Sequence, residues 1–110
     1  MIENTLKEIE ARLAQTGAMT PESRAALFRL LATLKSEITA LSETDADRAR
    51  SIAGFTQVST HEATRREKNP ELLKLALEGL ASSVEGFEES HPHLVQIVNS
   101  ICNTLSNLGI

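Results

Sequence analysis

The sequence predicts an all-α bundle of four to five helices built from antiparallel helical hairpins, and three observations predict it. Apolar residues recur alternately four and three apart in four segments, a mean spacing of about 3.5 that gathers each set on one helical face. No segment alternates with period two, and no Asn-Gly or Asp-Gly hairpin turn occurs. All three prolines, Pro21, Pro70 and Pro92, stand where a helix would begin. That position tolerates proline because the missing N–H would have no helical acceptor.

The elements follow in order within a single domain, 1–110. Residues 1–42 read as an N-terminal hairpin. Its first stripe is Ile2, Leu6, Ile9 and Leu13, closed by Gly17. Thr20 caps the second helix, Pro21 opens it and Glu22 adds favourable charge to its first turn. The second stripe is Leu27, Leu31, Leu34, Ile38 and Leu41, broadened by Phe28 and Leu30. Residues 43–69 read as a central small-residue helix over 46–67, capped by Asp45. Its stripe is Ala46, Ala49, Ala53, Thr56, Thr60 and Ala63, flanked by Ile52 and Phe55. Gly54 lowers its intrinsic propensity by about 1 kcal/mol relative to Ala.

Residues 70–110 read as an acidic C-terminal hairpin. Asn69, Pro70 and Glu71 open a helix with the stripe Leu73, Leu77, Leu80, Val84 and Phe87. A small stripe, Ala76, Gly79, Ser83, Gly86 and Ser90, runs beside it. Together with the small stripe of the central helix it would either admit close backbone approach or form a weakly apolar exposed face. After Pro92 the last stripe is Leu94, Val98, Ile101, Leu105 and Leu108. Gly109 is expected in the left-handed conformation, with Ile110 folded back on Leu105 in a Schellman closure.

Composition narrows the function classes. Of the 110 residues, 41% are hydrophobic and 24% charged, a globular balance that excludes wholesale disorder. No apolar run reaches the ~18 residues of a membrane helix. The acidic, amphipathic start fits neither a signal nor a transit peptide. The single cysteine, Cys102, cannot pair within the chain, so a cytoplasmic setting is expected. Trp and Tyr are absent, which leaves little to stack on bases.

The net charge of −4 arises wholly in residues 70–110, where Glu71, Glu78, Glu85, Glu88 and Glu89 face only Lys74. That part cannot neutralise phosphates or seek an anionic membrane. The basic residues Arg48, Arg50, Arg65, Arg66 and Lys68 are balanced by Glu43, Asp45, Asp47, Glu62 and Glu67. This is the pattern of a solvated helix laced with ion pairs rather than of a nucleic-acid surface.

The stretch Phe87-Glu88-Glu89-Ser90-His91-Pro92-His93-Leu94 and the ending Leu105-Ser106-Asn107-Leu108-Gly109-Ile110 resemble a small bacterial family, domain-of-unknown-function family 4404. Pro21-Glu22-Ser23-Arg24, leading into Leu27, resembles that family's opening. The likeness covers 1–42 and 70–110, and the middle, 43–69, is longer than in the family's shorter members. It implies a short helical protein of the bacterial cell interior. It implies no activity and brings no functional residues.

Chemistry finds few footholds. Glu88 and His91 form a Glu-x-x-His pair, the spacing that places two metal ligands on one helix face in di-iron bundles. Such sites need two pairs, which a symmetric dimer would supply, but Pro92 makes His91 a junction residue. His91 and His93 lack the further ligands of a zinc site. In His61-Glu62-Ala63-Thr64-Arg65, Arg65 occupies the place of the second zinc-protease histidine. Cys102 sits on an apolar face, where a structural thiol rather than a nucleophile is expected. The glycines form neither a P-loop nor a dinucleotide fingerprint. The expectation is a chain without catalytic residues or cofactors, hence no enzyme.

The last helix speaks of partners. Residues 94–110 carry no charge, and Gln96, Asn99, Ser100, Asn103 and Asn107 form the face away from the core. Interface cores are depleted of charge in this way. Val95, Asn99, Cys102 and Asn103 are therefore candidates for the interface of a homo-oligomer, a dimer or larger. The expected function is a self-associating helical interaction module, with an unidentified protein partner a further possibility. The alternative is a protein binding a metal or small ligand through Glu88, His91 and His93 across an oligomer.

Overall fold

Local chemistry sets the helix starts. The computed structural model describes residues 2–17 and 19–109 and contains α1 (Ile2–Gln15), α2 (Pro21–Ser42), α3 (Ala46–Thr64), α4 (Pro70–Ser82) and α5 (Pro92–Gly109). Thr20 Oγ1 accepts from the Ser23 N–H at 3.1 Å, Asp45 Oδ1 from Arg48 at 3.1 Å and Asn69 Oδ1 from Leu72 at 3.2 Å. Each satisfies a donor that has no partner inside its helix. The end of α1 is held from α2, where Arg24 Nε donates to the Leu13 carbonyl at 3.0 Å and Nη2 donates to that of Thr16.

The chain is an all-α bundle, and its stripes meet in one core. Leu6, Ile9 and Leu13 of α1, Leu27, Leu31, Leu34, Ile38 and Leu41 of α2, and Leu94, Val98, Ile101 and Leu105 of α5 are buried. The small-residue helix α3 lies at the centre and packs against all four others. Ala49, Ala53 and Ala63 let neighbours approach, and three threonines satisfy themselves by bonding one turn back. Thr56 donates to the Ile52 carbonyl at 2.7 Å, Thr60 to Thr56 at 2.8 Å and Thr64 to Thr60 at 2.7 Å. Arg12 Nε of α1 donates to Thr64 Oγ1 at 2.8 Å.

Three boundaries differ from the sequence expectation. Helix α3 stops at Thr64, not at 67, and Lys68 folds over its end. Its Nζ donates to the carbonyls of Ala63 and Leu108 at 2.9 and 2.7 Å, joining the C-terminal ends of α3 and α5. Helix α4 ends at Ser82, although Val84 and Phe87 beyond it are still buried. Turns continue the stripe there because Gly86 takes φ +92°, a left-handed conformation that breaks the helix. Arg48 fastens this turn: its Nη2 donates to the Ser83 and Glu85 carbonyls, and its guanidinium lies 4.3 Å from the Phe87 ring centroid. Finally, Gly109 is the last residue of α5 itself, and the fold-back of Ile110 lies outside the described residues.

Candidate functional site

The Glu88–His91 idea required one helical face. Both residues instead precede α5, in the connection that Gly86 opens and Pro92 closes. Glu88 Oε2 accepts from the Gly86 N–H at 2.9 Å. His91 Nδ1 lies 2.9 Å from Ser90 Oγ, and its ring meets Phe87 edge-on with centroids 5.1 Å apart. The His91 carbonyl accepts from the Val95 N–H at 3.3 Å, so this residue is the junction into α5. His93 Nδ1 faces Glu37 of α2 at 3.8 Å. The three side chains thus have three different partners. Among the described residues no group of three or more His, Cys, Asp or Glu is placed to hold a metal ion.

Other singled-out residues serve the fold. Glu62 is buried and accepts from Arg65 Nη1 at 2.9 Å, and Arg50 lies 3.9 Å from Asp47. Arg48 is committed to the 83–87 turn. In a cleft of about 390 Å³ between α1 and α3, Gln57 Nε2 donates to Glu8 at 2.7 Å, and Arg12 and Thr60 are bonded to Thr64 and the Thr56 carbonyl.

The four interface candidates on α5 divide. Val95 and Cys102 are half-buried against the core, while Asn99 and Asn103 are exposed. Helix α5 packs against α2, α3 and α4, so its wide apolar arc has partners inside the chain. Cys102 Sγ points to the Leu77 carbonyl of α4 at 4.0 Å, and burial pushes its thiol above the ordinary range. Cys102 is a thiol, not a thiolate, at neutral pH.

The apolar surface left over belongs to α4. Among the described residues this helix packs only against α3 and α5, and it lies at the edge of the bundle. Its inner face, Leu73, Ala76 and Leu80, is buried, but Leu72 is 43% exposed and Leu75 62%. On α3, Phe55 is 40% exposed, and Val58, which borders the cleft with α1, is 48% exposed. Phe55 lies directly on Gly79, where a Cβ would collide with its Cδ1 and Cε1 atoms. This contact and the short 65–69 connection make α3 and α4 antiparallel, so Val58, a turn beyond Phe55, stands level with Leu75 and Ala76. On the other flank an open groove of about 610 Å³ runs between α4 and α5, lined by Leu73, Lys74, Leu77, Glu78, Ala81 and Cys102.

Sequence reading missed Leu72, Leu75 and Val58. The signal was present: Leu72 and Leu75 stand outside the Leu73–Leu77–Leu80 stripe, so leucine appears on more than one side of α4.

Residues 27–110, which take in this surface whole, match the family model described as Domain of unknown function (DUF4404). The chain belongs to that family. The DUF4404 match spans the middle stretch 43–69 as well as the C-terminal hairpin. It begins at Leu27, so α1 and residues 21–24 lie outside it, and the likeness of that opening is not part of the match. No curated protein and no solved structure matches the chain. Among the described residues no helix is long and apolar enough to cross a membrane.

Proposed function

We propose that this DUF4404 protein is a non-enzymatic helical module of a bacterial cytoplasm that associates with a second copy of itself, with α4 and the flank of α3 as its contact face. The observation that carries the reading is an edge helix with leucines on more than its inner side. A helix apolar on most of its circumference belongs in an interior. Here α3 and α5 cover only part of it. Covering an exposed leucine side chain is worth about 1.5–3 kcal/mol, so Leu72, Leu75, Phe55 and Val58 together offer a substantial driving force. The side chains that offered chemistry are held by neighbours instead: Glu88 by Gly86, Glu62 by Arg65, and Cys102 as a protonated thiol.

Size-exclusion chromatography with light scattering tests the reading. The native protein is expected at a multiple of the 12.0 kDa chain mass, and Leu75→Glu at the chain mass with unchanged helicity. A native protein that elutes at the chain mass at every loading contradicts it.

A further inference from the structure

We infer that the two copies meet through an antiparallel, two-fold pairing of α4 with α4, in which Lys74 of each copy stands against the partner's Glu78 and Leu75 of each packs against the partner's Leu75 beside the two-fold axis. The inference rests on the self-association reading and adds to it the orientation, the register and the residues that select them.

The outward row of α4 is Glu71, Lys74, Leu75, Glu78 and Ser82, all exposed, at positions i, i+3, i+4, i+7 and i+11 of one helical face. Among the described residues neither Lys74 nor Glu78 has an ion pair within its own chain. Two copies of this row can be laid together in parallel or antiparallel. In parallel, each residue meets its own symmetry mate, so Glu71 faces glutamate, Lys74 faces lysine and Glu78 faces glutamate. Like charges then oppose at every charged level, an arrangement that costs association.

In the antiparallel arrangement a two-fold axis at the level of Ala76 brings Lys74 level with the partner's Glu78, and Glu78 level with the partner's Lys74. The same axis sets Glu71 beside Ala81 and Ser82 of the partner subunit, where no charge opposes it. Two ion pairs replace three repulsions. The row is therefore complementary to itself in one direction only, which is the signature of a two-fold interface between identical chains.

Shape agrees with charge. Leu75, the most exposed large hydrophobic side chain of the described residues, lies one residue from the axis on the side of α4 away from the α5 groove, so it adjoins the partner's Leu75 there. Lys74 and Glu78 line that groove, so the two ion pairs lie on the groove side of the paired leucines. Apolar side chains at the centre with charges at the edge is the common build of protein interfaces.

Charge reversal in the full chain, followed by analytical ultracentrifugation, tests the pairing. Lys74→Glu and Glu78→Lys are surface changes, and circular dichroism verifies that each variant is folded. Each alone sets like charges against one another twice, and each is expected to weaken dimerisation by about tenfold or more. The double variant Lys74→Glu/Glu78→Lys restores both pairs with reversed sense and is expected to dimerise within about threefold of native. An equimolar mixture of the two single variants is expected to form the mixed dimer. Single variants that dimerise as the native chain does, or a double variant no better than the singles, overturn the antiparallel pairing while self-association stands. A monomeric native protein overturns both readings.

Discussion

Two glycines of similar helix propensity are used in opposite ways. Gly86 takes φ +92°, and its N–H is held by Glu88, so the turn into the last helix depends on it. Gly86→Ala should lower stability by about 1 kcal/mol or more, read as a drop in the urea midpoint. Gly54 lies inside α3 with open space where a Cβ would stand. Gly54→Ala should raise stability by about 0.4–1 kcal/mol in the same titration. Cys102 gives a pH dependence with a definite sign. Its thiol is pushed up by burial, so its contribution to stability is complete below the unfolded thiol range and is lost as pH rises through the higher folded value. Melting temperature should fall on the alkaline side, less steeply in Cys102→Ser, and alkylation should be slower in the native protein than in urea. At this scale the caps were legible, because Thr20, Asp45 and Asn69 act on donors three residues away. Arg48 and Lys68 were not. The acceptors of Arg48 and the Leu108 acceptor of Lys68 lie 35 to 40 residues further along the chain, and a charged residue read locally looks like a solvated one.

Helix α3 shows what small residues accomplish at the scale of an element. It touches every other helix, and Ala49, Ala53 and Ala63 leave room for neighbours that bring leucines and isoleucines. Enlarging one of these positions should be costly despite the added hydrophobicity. Ala53→Leu is expected to destabilise the fold by about 1–3 kcal/mol, measured by thermal or urea unfolding. Ser59 Oγ, buried on the same helix without a partner, should tolerate Ser59→Ala with unchanged or raised stability. The stripes that defined four helices were legible because burial of one face imposes its period on the sequence. The end of α4 was not, since Val84 and Phe87 keep the helical spacing while turns carry them into the core. Gly86, read as part of a small-residue stripe, is the residue that ends that regularity.

At the scale of the whole molecule, packing decides which apolar surface has no partner. Sequence alone placed that surface on α5, whose uncharged face and wide arc looked unsatisfied. Three neighbouring helices account for the arc, and the edge position of α4 leaves Leu72 and Leu75 uncovered instead. Which helix lies at the edge follows from the arrangement of all five, so the proposed contact face could not be read from any one of them. If two copies cover this surface, the dimer stabilises the fold by mass action, and the melting temperature of the native protein should rise with concentration. The most direct measurement is sedimentation equilibrium on the native chain, Leu75→Glu and Asn103→Glu over the micromolar range. A native dimer that Leu75→Glu dissociates more strongly than Asn103→Glu is the expected result. A native monomer, or a dimer that Asn103→Glu breaks and Leu75→Glu leaves intact, would contradict α4 as the contact face.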